Sequence, residues 1–413
     1  MPTEVRPISE AELPAWFEAA SSVFFMWPWG EPQAVAEFRK AHMDLDRTRA
    51  AFEGETIVGT FRTFPTPLTV PGGGSLTASA VTAVTVRSTH RRRGVLSAMQ
   101  RDDIARATAA GEAVGVLIAS EWPIYGRYGY GPATWRGRWS LRTRAARFKA
   151  DPVGSVEVVA AKRARELIPQ IYEAYRAGQP GEIGRTDFRW DVDLGIVQPP
   201  GRTKTQSVFA IHRAADGTPD AYASYHGEEK WEDGIPDNVL ILDELHGASD
   251  AAELGMWQYL ASIDLVATIN ADTRRVREPL MWHLEDGRAL RLRELGEFLW
   301  VRLFDVPAAL AARRYERADR LVIDVVDRLG GGTGPAAGRF ELEASPDGAT
   351  CVPTRRDADL TVDVAPLGAA YLGGTRLLDA VRAGGATETT PGALARTDAL
   401  LRTADEPWCS TWF

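Results

Sequence analysis

A run rich in Val and Thr, residues 75–86, leads through Thr89, His90, Arg91, Arg92, Arg93 and Gly94 into a helical pattern that continues to about residue 110. This order of strand, basic glycine loop and helix constrains the fold more than any other stretch. Amide N–H groups at a helix start have no intrahelical partner, and the helix dipole is positive there. A glycine at that point lets an anion approach the backbone, and Arg92 and Arg93 would add charge-assisted hydrogen bonds. Three arginines alone read as a solvated turn; their place between a strand and a helix favours a phosphate cradle. Residues 114–118 form a short apolar run that fits a buried strand after the helix. The resulting strand, loop, helix, strand unit belongs to a mixed sheet.

Upstream, Ser9 and Glu12 stand at capping-box spacing before a helix expected over 11–25, and a second helix is expected over 33–43. Residues 50–52 and 56–65 flank Gly54 as a hairpin. A second α/β stretch follows, with helices at 163–177 and 255–263 and strands at 208–211, 221–225, 239–242 and 265–269. It repeats the order of the first without the glycine and arginine loop, and reads as a degenerate copy that packs rather than catalyses. The last stretch has a helix at 307–313, strands at 320–326, 339–343 and 360–364, a loop at 330–338, and helices at 367–371, 376–383 and 391–401. Strands followed by helices indicate a separate α+β unit. The chain ends in Trp408, Cys409, Ser410, Thr411, Trp412 and Phe413, an aromatic tail that prefers burial.

A chain of 413 residues is too long for one core, and three compact units are expected: 1–143, 144–302 and 303–413. A hydrophobic content of 45% with 25% charged residues excludes a mainly disordered chain. The net charge of -8 argues against a nucleic-acid surface. The two cysteines, Cys351 and Cys409, suggest no disulfide framework, and the six histidines form no pair at ligand spacing, so no metal is expected. A charged N-terminus and the lack of an apolar run of about 18 residues point away from a membrane and toward a reducing cytoplasm.

Two blocks carry a resemblance. Arg91 to Leu96 fits the Arg-x-x-Gly-x-small/apolar loop of the GCN5-related N-acetyltransferases (GNAT). Ser120, Glu121, Trp122, Pro123, Ile124, Tyr125, Gly126, Arg127, Tyr128, Gly129, Tyr130, Gly131 and Pro132 closely resemble the Glu-x-x-Ile-Tyr-x-Arg-aromatic-Gly-aromatic block of the Eis (enhanced intracellular survival) family. With the segment 300–310 and the aromatic C-terminus, the resemblance covers essentially the whole chain.

The resemblance implies an α/β (α+β) protein: two GNAT-like domains with mixed sheets, only the first binding cofactor, then a sterol-carrier-like α+β domain, assembled as a hexamer. It implies acetyl-CoA as donor and a small-molecule primary amine as acceptor, whether aminoglycoside-like, lysine-like or arylalkyl. Val84, Thr85 and Val86 would pair with the pantetheine arm, while Arg92, Arg93, Gly94, Val95, Leu96 and Ser97 would hold the pyrophosphate. Ser120 and Glu121 would complete the groove. Tyr125 matches the family's general acid, and the carboxylate of Phe413 its general base. Elimination agrees on the base, since His90 is occupied beside the phosphate loop and no other histidine is expected near Tyr125.

Members that acetylate aminoglycosides carry acidic residues where this chain has Met26 and Trp412. The segment around Met26, with Phe25, Trp27 and Trp29, is aromatic instead, which puts a highly cationic sugar in doubt unless Glu31, Asp44 and Asp46 compensate. Phe25, Met26, Trp27, Trp29 and Trp412 are the expected acceptor-binding residues. The competing expectation is a CoA- or apolar-ligand-binding protein without turnover.

Overall fold

The computed structural model describes residues 3–25, 30–202, 207–329 and 332–413. Met26, Trp27 and Trp29, expected at the acceptor site, lie outside the described residues.

The first sheet begins with β1 (Glu4–Pro7), β2 (Thr48–Glu53), β3 (Thr56–Val70), β4 (Gly74–Val86), β5 (Val114–Ile118) and β6 (Gly131–Pro132). Its helices are α1 (Leu13–Phe24), α2 (Pro32–Arg39), α3 (Val95–Ala109) and the short α4 (Trp122–Tyr125). The expected capping pair is present: the Ser9 N–H and Oγ–H donate to Glu12 Oε2 at 2.8 and 3.0 Å. A hydrogen bond from Arg6 also holds the Glu12 carboxyl down at about 2.

A second sheet takes β7 (Trp135–Arg142), β8 (Ser155–Val159), β9 (Val208–Arg213), β10 (Pro219–Glu228), β13 (Asn238–Gly247), β14 (Val266–Arg274) and β15 (Leu290–Glu297). A small hairpin of β11 (Trp231–Glu232) and β12 (Ile235–Pro236) projects between β10 and β13. Then β16 (Leu299–Leu303) returns to the first sheet, whose order is β1-β2-β3-β4-β5-β16-β6. The sheets therefore do not follow linear cuts at 143/144 and 302/303. A strand just before the first cut joins the second sheet, and one at the second cut closes the first.

Each sheet has a central parallel pair crossed by a helix. β4 and β5 are joined by α3; β13 and β14 are joined by α7 (Asp250–Ala261), which follows α5 (Ala161–Gly178) and α6 (Asp187–Asp193) in the chain. The second crossing differs from the first at its helix start. Its helix start is capped by its own Ser249, which accepts from Ala252 N, and carries Asp250 and Glu253 in the first turn. Acidic groups at a positive helix end exclude an anion.

The third unit is a five-stranded sheet ordered Gly348–Pro353, Gly338–Ser345, Asp319–Val326, Leu360–Asp363, Ala386–Glu388. The helix expected over 376–383 shortens to Leu377–Ala380, ahead of Gly384 and Gly385 at positive φ. One continuous core joins this unit to the first: Ala80, Val116 and Val301 share a cluster with Ile323, Leu342 and Leu360. Successive strand residues point to opposite faces, so Val81 and Leu117 belong to the other face, under α3 with Val95 and Met99.

A buried ion pair crosses this junction. Arg302 on β16 is fully buried, with Nη2 2.7 Å from Asp327 Oδ2, while its Nη1 donates to the Tyr128 carbonyl. Gly129 is required there, because its φ of 80° suits glycine and an added Cβ would run into the Arg302 guanidinium. Removing one partner of a buried pair leaves an uncompensated charge and costs about 3–5 kcal/mol, against about 0–1 for an exposed pair. Asp327→Ala should lower stability by the larger amount in urea unfolding followed by tryptophan fluorescence, and Asp272→Ala, which breaks the exposed Arg138 pair, by the smaller. Equal effects would remove the pair from any stabilising role.

Candidate active site

β4 pairs with β5 only from Ala78 to Val81. Beyond that point the parallel strands separate, and residues 82–86 keep partners only on β3. The divergence has a local cause. Between Thr85, opposite Thr60, and Thr82, opposite Arg62, β4 carries one extra residue, and Ala83 takes a φ of 52°. Such a bulge bends its strand and leaves backbone groups unpaired. Thr60 supports it, its hydroxyl donating to the Ala83 carbonyl and sharing a hydrogen bond with Thr85 Oγ1, both at 2.7 Å. Val84, Thr85 and Val86 thus line one side of a wedge in the sheet.

The basic loop lies at the end of this wedge. Arg92 (φ 63°) and Gly94 (φ 81°) both turn left-handed, and Gly94 is the N-cap of α3. Arg91, Arg92, Arg93 and Gly94 are exposed, Val95 is buried and anchors the helix, and Leu96 and Ser97 are half-buried. A Cβ at Gly94 would meet nothing within 4 Å. The loop is open in front of the free amides of α3, the geometry a diphosphate needs. His90 has its Nε2 2.6 Å from Glu53 Oε2.

Across the wedge, Ser120 and Glu121 are exposed beyond β5, and Glu121 is the N-cap of α4. Tyr125 ends that helix and is buried in the cluster of Val81, Leu117 and Val95. Burial, then the charges of Glu121 and Tyr128, push its hydroxyl up to about 12. Among the described residues that hydroxyl makes no hydrogen bond. Ser97 Oγ shares a hydrogen bond of 2.9 Å with the Tyr128 hydroxyl, tying the loop helix to the tyrosine block.

The C-terminal tail reaches the opposite face of the sheet. Phe413 meets Phe64 of β3 edge to face, centroids 5.6 Å apart, and packs against the cluster that contains Ala80 and Val116. Trp412 is exposed; its ring lies 5.7 Å from Phe298, and its carbonyl accepts from Arg189 Nη1 at 2.7 Å. Phe25, at the C-cap of α1, is 91% exposed. It is not packed into a described site.

Glu182, a residue the sequence did not single out, holds the tail. Fully buried, its carboxylate accepts from Ser410 N and Oγ, both at 2.8 Å, and from Thr411 Oγ1 at 2.9 Å. The backbone around it is paired with β3, through Gly181 N to Thr69 O at 2.8 Å and Thr69 N to Glu182 O at 3.0 Å. Tyr172 and Arg185 each reach Thr411 Oγ1 at 2.9 Å. No local pattern could reveal this, because the partners lie more than 220 residues away in the chain. Among the described residues, no group of three or more His, Cys, Asp or Glu could hold a metal ion, and no helix is long and apolar enough to cross a membrane.

This architecture recurs in known proteins. Profiles of the acetyltransferase (GNAT) domain match residues 4–133 and 181–303, and a sterol carrier protein domain matches residues 306–410. An uncharacterized N-acetyltransferase of Streptomyces avermitilis is 39% identical over 99% of this chain and 98% of its own. N-acetyltransferase Eis of Mycobacterium tuberculosis is 33% identical over 78% of this chain and 77% of its own. The crystal structure of Eis1 from Mycobacterium abscessus superposes with a TM-score of 0.86 at 30% identity, covering 99% of this chain and 100% of that one. Sequence and architecture agree end to end: the chain belongs to the Eis-like N-acetyltransferases, with two GNAT domains and a sterol-carrier-like domain.

Proposed function

We propose that this N-acetyltransferase transfers the acetyl group of acetyl-CoA to a small-molecule primary amine in the first unit, with Tyr125 as general acid and the Phe413 carboxylate as general base. The observation that carries the reading is the placement of these groups on opposite faces of a sheet that opens between β4 and β5. Acetyl-CoA supplies a thioester acetyl. The free edge of Val84, Thr85 and Val86 pairs with its pantetheine amides, the loop from Arg92 to Ser97 takes the pyrophosphate, and Ser120 and Glu121 border the groove. Phe413 orients the acceptor ammonium and takes its proton, directly or through water, so the amine lone pair attacks the thioester carbon. As the C–N bond forms and the C–S bond breaks, the Tyr125 hydroxyl gives its proton to the leaving sulfur, and the nitrogen sheds its second proton to solvent, from which Tyr125 recovers its own.

The apolar-ligand carrier has less support. The third unit spends its apolar sheet face on the core shared with the first. A cleft of about 360 Å³ against it is polar, lined by Arg277, Arg317, Arg376, Arg402, Glu316 and Glu406 among others. The same reading carries the hexamer expected from the resemblance and the cytoplasmic location expected from the cysteine content and N-terminus; light scattering of the purified chain tests the assembly.

Tyr125→Phe should lower kcat by about a hundred-fold or more, the usual range for a positioned acid, with acetyl-CoA affinity unchanged. Because the hydroxyl titrates near 12, it stays protonated through the assay range. Turnover should therefore show no alkaline loss traceable to Tyr125 below about pH 11; a limb near pH 10 that vanishes in the Phe variant would show an unburied hydroxyl. Replacing Arg92 and Arg93 by Ala should weaken acetyl-CoA binding in calorimetry without shifting Tm, since both side chains are exposed. Unchanged affinity would remove the pyrophosphate assignment. Finally, a Gly-Ser pair added after Phe413 should abolish turnover while Tm and acetyl-CoA affinity hold, because the tail is docked through Ser410 and Thr411. Full activity of the extended protein would eliminate the carboxylate from the mechanism.

A further inference from the structure

Two guanidinium groups on the tail side of the first unit lack polar partners among the described residues. Arg62 on β3 and Arg39 at the end of α2 are each half-buried, and neither guanidinium hydrogen-bonds or ion-pairs with any described residue. The Arg62 Nε is shut off from solvent without an acceptor. A charge withdrawn from water without a counter-charge costs free energy, and two such groups on neighbouring elements are not a packing necessity.

Their position is set by the elements around the tail. Arg62 is two residues from Phe64, on the same strand face, with its guanidinium 5.6 Å from that ring, and Phe64 in turn meets Phe413. α2 and the turn after it pack on α6: Phe38 lies 5.4 Å from Phe188, and His42 stacks on Phe188 at 3.8 Å. α6 carries Arg189, which pairs with Asp193 and donates to the Trp412 carbonyl. Burial, then the charge of Arg39, pulls the Arg62 guanidinium down to about 10. Burial, followed by the charges of Arg202 and Arg189, lowers that of Arg39. Asp44 offsets part of the Arg62 penalty, but its Oδ1 accepts from Asp46 N at 3.0 Å and its Oδ2 faces Arg47 Nε at 3.6 Å. Asp44 is thus engaged elsewhere and does not give this face the acidic character a polycation would need.

We infer that Arg39 and Arg62 receive an anionic group of the acceptor, so that the substrate is an amine that also carries a carboxylate or a phosphate. The inference rests on the acetyltransferase reading above. It accounts for uncompensated arginines beside a tail whose carboxylate attends to the amine: the two ends of a zwitterionic acceptor meet opposite charges. A polycationic sugar would meet Arg39, Arg62 and Arg189 instead.

Matched acceptors test it: 4-(2-aminoethyl)benzoate against 2-phenylethylamine, and tyramine phosphate against tyramine, the two pairs separating carboxylate from phosphate. At least one anionic member should exceed its neutral partner in kcat/KM by about ten-fold or more, the gain from a charge-assisted hydrogen bond. Arg62→Gln and Arg39→Gln should each bring that ratio toward one, and Arg62→Lys should keep part of it, which a folding defect would not. A ratio near one in the parent, or a ratio unmoved by the Gln variants, overturns the inference. So does an equal loss for both members in Arg62→Gln, the result expected if Arg62 serves the Phe413 carboxylate instead. If acetyl-CoA binds but no amine is turned over, the acetyltransferase reading is at fault. Calorimetric titration of the same pairs onto the CoA complex then decides: tighter binding of an anionic member that Arg62→Gln removes supports the inference, and equal binding overturns it.

Discussion

The carboxylate of Glu182 is the contact on which the arrangement of this molecule turns. It sits on a segment from the second unit, paired through its backbone to β3 of the first, and it takes hydrogen bonds from Cys409, Ser410 and Thr411 at the end of the third. A buried carboxylate with several donors is stable only when every donor is in place. One side chain therefore fixes the order of three units and the position of the last two residues. Trp408 strengthens the hold, its N–H donating to the Pro180 carbonyl at 2.9 Å while its ring packs in the core of the second unit beside Tyr175 and His246.

The same constraint explains why a unit without a phosphate loop is retained. α7 starts with Ser249, Asp250 and Glu253, and Glu253 is bound by Arg274 at 2.7 Å. The start of α7 is thus occupied by its own acidic groups and their partner. The unit's contribution is to support the tail from below and, through Phe188 on α6, to wall the side of the first unit where Arg39 lies. The third unit acts on the opposite side of the tyrosine block, where Asp327 reaches Arg302 and Arg302 reaches the carbonyl of Tyr128. The face of the first sheet that holds Ala80 and Val116 is thus shared by Ile183 of the second unit and the core of the third.

Much of this was legible in the chain. Glycine and arginine before a helix, and Tyr125 within its aromatic and glycine block, are local patterns whose chemistry follows from short spacing, so the strands, the loop and the helix of the first unit came out close to their observed bounds. Strand membership was not legible. Trp135–Arg142 alternates tryptophan and arginine without an apolar run, and Leu299–Leu303 is apolar enough to belong to either sheet; only pairing decides which. Glu31, Asp44 and Asp46 offered acidic character by count, yet Asp44 turned out to be spent on a helix cap and on Arg47.

The sequence by itself determined the α/β class, the family and the groups that could meet a phosphate, because each depends on residues near one another in the chain. The tertiary structure decided that Glu182 anchors the tail, that Phe413 and Tyr125 take opposite faces of one sheet, and that Arg39 and Arg62 find no polar partner among the described residues beside the tail. Those are facts of distance between residues up to hundreds of positions apart, and of which charges find a counter-charge once water is excluded. No local pattern encodes them, since a buried ion's partners are set by how the units dock.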